Sequence, residues 1–442
     1  MTLKAIMDTS IVSIHGRRVW DSRGRPTVEA EVRLACGASG RAIAPAGASR
    51  GSNEAIDLRD GGARLGGYGV SNASANINGE IARALAGMDA AAQETIDAAL
   101  IALDASGNKA RLGGNATVAV SMAVLHAAAA AARLPLYRYL AQDRPPRLPL
   151  PEVQIFGGGA HAGRRIDIQD LMIMAPRAAN FDEAMLVTAE VYRAAGDMMA
   201  EKGKLSGVAD EGGWWPQFDS NEEALQALVK AIERAGYTPG EDVVLSLDIA
   251  ASELYTDGFY RLGLEKRQLD ADGMSEMLLD WIARYPIASI EDPLAEHDSE
   301  GMARFTRAVA GKIQVIGDDF LVTSAERGRA AAAAGACNAV LLKPNQAGTV
   351  SETRAALEAA RAAGWATIVS ARSGETEDTT IVHLATGWDA GQLKVGSFAR
   401  GERMAKWNEA LRIEEQLGQD ARFAGGAALA GSRYQLPGGT GR

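Results

Sequence analysis

The chain has 442 residues, room for two or three domains and a large core, and its 47% hydrophobic and 23% charged content is ordinary for a globular protein. A formal net charge of −10 and a pI of about 5.2 argue against a general nucleic-acid surface, while leaving room for a local basic pocket. Cys36 and Cys337 lie far apart, in or beside apolar runs, and read as buried reduced thiols rather than a disulfide framework.

The first segment, MTLKAIMDTSIVSIHGRRVWDSRG, carries Asp8 early and has no long apolar core, so no secretory signal is expected and the expected compartment is the cytoplasm. No apolar stretch is expected to reach the roughly 18 uncharged residues that a membrane span needs. Between residues 10 and 45, SIVSIHGRRVWDS, TVEAEVRLACG and GRAIAPAG alternate as antiparallel strands do. The following loop, APAGASRGS, is built of small residues that let a backbone approach a ligand closely, although an ordinary turn uses the same residues. Residues 72–140 are predicted helical, because INGEIARALAGM and VSMAVLHAAAAAARL space apolar residues three and four apart. The alanine run 127–132 reads as a tightly packed helix face. QDRPPRLPLP, residues 142–151, holds four prolines and reads as a linker. The expected division is therefore an α+β capping domain over 1–141, the linker 142–151, a barrel domain over 152–423 and a Gly-rich flexible tail over 424–442.

In the second half, six short apolar runs carry a charged residue at or near their end: VVLSLD, IASIE, QVIGD, AVLLK, ATIVSAR and GQLKVG. The charged residues are Asp248, Glu291, Asp318, Lys343, Arg372 and Lys394, at successive separations of 43, 27, 25, 29 and 22 residues. A strand, a helix and two loops take roughly 25–30 residues, since about 250 residues make eight such units. Continuous apolar runs fit strands buried on both faces. A charge at the C-terminal end of each strand is where a (β/α)8 barrel keeps its chemistry.

Asp248, Glu291 and Asp318 offer hard oxygen ligands suited to Mg2+. Each alone could instead be an N-cap that starts the next helix. Their alignment with lysines on the next strands points to a divalent-metal site facing an anion site. Five histidines, none paired at ligand spacing, argue against zinc. Lys343 and Lys394 either snorkel to solvent or are held beside the site, where desolvation and metal cations would lower a lysine pKa and make it a base. In VADEGGWW, Asp210 and Glu211 precede a glycine pair, as reactive acids or as part of a turn. GGGAHAG places His161 after a glycine turn, as a core histidine or a pocket group.

Taken in order, DSRGRPTVEAEV, APAGASRGS, GGGAHA, DIQDLMI, VADEGG, SLDIAASELY, SIEDPLAEHD, GDDFLVT, LLKPNQAGT, SARSGETEDT and RIEEQLG closely resemble the signature blocks of the enolase (phosphopyruvate hydratase) family, from about residue 10 to 420. The resemblance implies an N-terminal α+β (β3α4) capping domain on a modified (β/α)8 barrel, commonly in a homodimer, and a Mg2+-dependent glycolytic lyase acting on 2-phosphoglycerate. It implies that Asp248, Glu291 and Asp318 hold the first of two Mg2+ ions and that Ser49 reaches the second as its loop closes. Lys343 would remove the α-proton; a lysine or histidine base working with Mg2+ is the known pattern of the enolase superfamily, so this role comes with the resemblance and not from the spacing. Glu211 and Asp170 would belong to the leaving-group network, with His161 beside them. Lys394 would hold the substrate carboxylate, Arg372 and Ser373 the phosphate, and the loop residues Ala46 and Arg50 would flank the substrate.

The chain departs from the family pattern at several of these positions. Asp170 replaces a Glu, Ala371 a His, and Gly157 the Asn before two glycines; the loop reads AGASR, with Ala46 and Arg50; Arg164 and Arg165 add charge beyond His161. These changes imply a roomier, more cationic pocket. They keep open a paralogue acting on a related phosphoglycerate or phosphonate, in the manner of carboxyphosphonoenolpyruvate synthase, and a non-catalytic enolase-fold binding protein.

Overall fold

The computed structural model describes residues 7–437. The alternating N-terminal segments form a three-stranded antiparallel sheet, β1 (Ile11–Trp20), β2 (Pro26–Leu34) and β3 (Ser39–Ile43), in sequential order. Four helical segments follow: α1 (residues 71–85, with a π-turn at Ile77–Ile81), α2 (Gln93–Asp104), α3 (Gly114–Ala131) and α4 (Leu136–Ala141). The expected β3α4 domain is thus present.

Helix α3 corrects one expectation. It is an uncharged 18-residue helix with mean hydropathy 1.3, long and apolar enough to pass as a membrane span, yet 89% of it is buried inside the protein. Alanine and small residues make that burial possible, because they let the helix backbone lie directly on the sheet. Gly40 in β3 marks the closest approach: a Cβ there would stand 2.2 Å from Ala127 N and 2.3 Å from Ala123 O.

Eight strands close the barrel: β4 (Leu150–Gly157), β5 (Asp170–Met174), β6 (Val244–Asp248), β7 (Ile287–Glu291), β8 (Gln314–Gly317), β9 (Ala339–Leu342), β10 (Ala366–Ser370) and β11 (Gly391–Ser397). All neighbours are parallel except β5, which runs antiparallel to both β4 and β6. Two helices, α5 (Phe181–Glu201) and α6 (Asn221–Arg234), separate β5 from β6 before the regular alternation starts. The long 43-residue step from Asp248 to Glu291 is filled by a small three-stranded excursion over residues 255–269, ahead of α7 (Ala271–Arg284).

The helix starts remove the capping explanation of the acidic triad. Asp270 caps α7, Asp298 caps α8 (Ser299–Ala308) and Ser324 caps α9 (Ala325–Ala334), each accepting a backbone N–H of the first turn. The caps of the helices that follow the triad's strands are thus other residues, and Asp248, Glu291 and Asp318 are left for the barrel mouth.

Two expected boundaries move. Leu150 and Pro151 belong to β4, so the linker is shorter than 142–151; a proline near the start of a strand costs little of the ladder. The tail from 424 is not loose. Ala424, Ala428 and Leu429 are buried against Leu150, Met174, Val244 and Ala288, at the strand ends opposite Asp248 and Glu291. Apolar burial outweighs the glycine content there; residues 438–442 lie outside the described part. Cys337 is buried and Cys36 half-buried, both as free thiols.

Gly40→Ala should destabilise the protein by about 1–3 kcal/mol, the usual cost of overpacking a filled interior. A thermal midpoint unchanged from wild type would show that α3 is not held at backbone contact with β3.

Candidate active site

The barrel register brings the acids together. Asp170 pairs with Asp248, and Asp248 with Glu291, across adjacent strands, while Asp318 follows the end of β8. Asp170 is the first residue of its strand, but because β5 is reversed it sits at the same mouth as the last residues of β6 and β7. Lys343 directly follows β9, Arg372 lies two residues past β10, and Lys394 projects from within β11 rather than from its end. All of these side chains are buried.

Lys394 is the centre of the charge pattern. Its Nζ lies 2.9 Å from Asp248 Oδ2, 2.7 Å from Glu291 Oε2 and 3.3 Å from Asp170 Oδ2. Burial alone would lower the Lys394 pKa, but these three carboxylates together push it well above the ordinary lysine range. Glu291 is driven in the unfavourable direction: burial, and then the charge of Asp248, push it well above the ordinary carboxylate range despite Lys394.

Lys343 Nζ donates to Asp318 Oδ2, and Gln346 Nε2 donates to Asp318 Oδ1 at 2.8 Å. Burial would raise Asp318, yet the charges of Lys343, Arg372 and Lys394 prevail and hold it at about 2. Lys343 is set by two opposed effects. Burial pulls its pKa down, but Asp318 outweighs burial and the net direction is upward. In this arrangement Lys343 is an ammonium held by its carboxylate partner.

The donor set fits a divalent cation. Asp248, Glu291 and Asp318 are hard, buried oxygen donors, and Glu291 Oε1 is buried with no hydrogen-bond partner. The most compact carboxylate group is a different one, Asp292, Asp318 and Asp319, whose ligand atoms lie within 4.8 Å of one another. Asp292 is occupied, however: it accepts the backbone N–H of Asp318 at 3.0 Å and of Asp319 at 2.7 Å, and so shapes the turn that presents Asp318. The strand-end triad has no such backbone role at Glu291, whose Oε1 is left without a partner.

Across the mouth, Glu211 Oε1 stands 3.4 Å from His161 Nδ1, and both ring nitrogens of His161 are buried without hydrogen-bond partners. Two glycines bring the Glu211 loop against β11. A Cβ on Gly212, at φ 94°, would lie 2.5 Å from Ala399 O, and one on Gly396, at φ 112°, would lie 2.9 Å from Glu211 O.

The Gly/Ser loop closes one side. Arg372 Nη1 donates to Glu54 Oε2 at 2.9 Å and to Asn345 Oδ1 at 3.1 Å; its Nη2 donates to Glu54 Oε1 at 3.1 Å and to the Ser49 carbonyl at 3.0 Å. Gly47 is required here, since a Cβ would fall 2.0 Å from Arg372 Nη2. Ser373 Oγ accepts from Arg23 Nη1 at 3.3 Å. Ser49, His161, Asp170, Glu211, Asp248, Lys343, Ala371, Arg372, Ser373 and Lys394 line one cavity of only about 20 Å3. A far larger cavity, about 680 Å3, lies between α2, α4 and the start of Val350–Ala362, but has no such convergence of acids and lysines. Chemistry rather than volume locates the site.

Four expected residues do not line the small cavity: Glu291 and Asp318 lie behind it, against Lys394 and Lys343, and Ala46 and Arg50 lie apart from it. Ala46 is buried in a two-way backbone pairing with Gly374, at 2.9 and 2.8 Å, and does not line the cavity. Arg50 is exposed and borders a separate small cleft with Glu54 and Asn345. Arg164 and Arg165 also turn away, toward Glu253 and over the Trp215 ring. Conversely, Glu54 and Gln154 hold the site together and carry no sequence signal of their own: Glu54 meets Arg372 and Gln154 meets Gly213, each far away in the chain.

A closed eight-stranded barrel whose C-terminal mouth gathers buried carboxylates, two buried lysines and a capping-domain loop has the architecture of a barrel enzyme. Residues 11–140 match the model of the enolase N-terminal domain, and residues 146–431 that of the enolase C-terminal TIM barrel domain. The chain is 49% identical over 429 residues to Enolase 1 of Desulfitobacterium hafniense (strain Y51), covering 96% of this chain and 98% of that protein. The chain belongs to the enolase family.

Removing Lys394 should be costly without metal, because three buried carboxylates would lose their counter-charge. Lys394→Ala should lose about 3–5 kcal/mol of stability in chelator, with part of the loss recovered on adding Mg2+. For the wild type, Mg2+ at 100 times its Kd should add about 2.7 kcal/mol. A thermal midpoint that ignores Mg2+ in both proteins would rule out the triad as a metal site.

Proposed function

We propose that this protein dehydrates 2-phosphoglycerate to phosphoenolpyruvate, with Mg2+ held by Asp248, Glu291 and Asp318 and a second Mg2+ reached by Ser49. The observation that carries this reading is the placement of Lys343 and Lys394 in one cavity with the Glu211–His161 pair. One face can thus take a proton while another delivers one.

Lys394 would bind the substrate carboxylate, and Arg372 with Ser373 the phosphate. Glu54 already offers Arg372 the kind of two-oxygen contact that a phosphate would make. Bound Mg2+ would supply positive charge where the second negative charge develops on the carboxylate as the α-proton leaves. Lys343 would be the base: Asp318 holds the proton on Lys343, and a cation held by Asp318 would weaken that hold and free the amine to accept the α-proton. Glu211, with His161 and Asp170 behind it, would give a proton to the β-hydroxyl, which departs as water. The loop carrying Ser49 would exclude bulk water as it settles over Arg372.

A paralogue acting on a bulkier phosphonate rests on Ala371 and Arg50. Ala371 does line the cavity, but Arg50 does not, so half of that support is gone. A homodimer is in keeping with the family. A cytoplasmic, glycolytic role follows from the same reading.

Purified protein with Mg2+ and 2-phosphoglycerate should form phosphoenolpyruvate, followed by its ultraviolet absorbance, at about 1–1000 per second. Lys343→Ala should lower turnover by roughly 10²–10⁴-fold or more. Absence of turnover in a wild type that still binds Mg2+ would transfer the site to another substrate, and an active Lys343→Ala would remove Lys343 as the base.

A further inference from the structure

Gly157 and Asp170, two of the departures from the family pattern, are direct partners across β4 and β5. Both meet a third residue, Gln154, fully buried on β4. Gln154 Nε2 donates to Asp170 Oδ1, and Gln154 Oε1 accepts the Gly213 backbone N–H at 2.9 Å. Gly213 lies two residues past Glu211. The other oxygen, Asp170 Oδ2, faces Lys394 Nζ at 3.3 Å. The Asp170 carboxylate is therefore fixed on both sides, by a carboxamide and by an ammonium.

The glycines show how little room is left. A Cβ on Gly213 would stand 2.3 Å from Gln154 Oε1. A Cβ at position 157 would stand 2.7 Å from Ala209 Cβ and 3.3 Å from both polar atoms of the Gln154 amide. A side chain at 157, or a carboxylate one methylene longer at 170, would enter volume that Gln154 fills.

We propose that Gln154, Gly157 and Asp170 are one interlocked unit, in which Gln154 is the positioning residue that sets Asp170 against Lys394 and ties it to the Glu211 loop. The short acid at 170 and the missing side chain at 157 then have one cause, the glutamine buried between them. The reaction it serves is the one proposed above; the contact itself does not depend on the substrate. Asp170→Glu, although it restores the family residue, is harmful in this background, and trimming Gln154 to Asn returns the methylene of room that Glu needs.

The test compares wild type, D170E, Q154N and D170E/Q154N in steady-state turnover of 2-phosphoglycerate with Mg2+, and in thermal midpoint. Each single variant should lose about tenfold in kcat with KM moving less than about threefold, and the double should return to within about threefold of wild type. The midpoints should show the same recovery. A D170E as active as wild type, or losses that multiply in the double, would overturn the proposal. If D170E does not fold, a folded double variant is the same recovery, and a double that also fails to fold overturns it. An inactive wild type would instead sink the proposed reaction, and the midpoints alone would then decide the coupling.

Discussion

The barrel mouth is organised by a charge problem. Four buried acids, Asp170, Asp248, Glu291 and Asp318, share it with two buried lysines. Buried ions are tolerated only when paired and hydrogen-bonded. Lys394 contacts three of the acids and Lys343 the fourth, so the charged groups of the mouth hold one another. A lysine drawn away from this mouth leaves a buried carboxylate without its partner.

The second constraint is closeness of approach. Alanines on α3, Gly40 on β3, Gly47 against Arg372, and Gly212 and Gly396 at the Glu211 loop each bring a backbone where a side chain cannot go. The capping domain uses this to lay a long apolar helix on its sheet. The active site uses it to bring loops from different parts of the chain onto one cavity. Glu54 joins the two domains electrostatically, because Arg372 of the barrel is held by a carboxylate of the capping domain.

Much of this is legible in the sequence. Strand-end charges on continuous apolar runs locate Asp248, Glu291, Asp318, Lys343 and Arg372, since parallel strands alternate at a regular spacing and put their last residues on one rim. Asp170 escapes that rule, because it opens a reversed strand; only the family resemblance points to it. Lys394 lies within its strand and is found by its apolar neighbours. The upward direction of the Lys343 pKa comes from Asp318, a neighbour that no desolvation argument from sequence could know. The alanines of α3 point to close packing, but the full length of that apolar helix is apparent only once its burial is seen. The Gly-rich tail misleads because glycine content speaks to backbone freedom and not to the apolar surface waiting to receive it. Gln154 and Glu54 are invisible, since a lone buried polar residue is defined by what folds against it.

That packed tail bears on the order of events during synthesis. The floor of the barrel is completed by Ala424, Ala428 and Leu429, which meet the first residues of strands made hundreds of residues earlier. The capping domain, by contrast, is assembled from the first third of the chain and can fold while the rest is still being translated. Until residues 424–429 join it, the barrel has an open apolar base, at the end opposite its charged mouth.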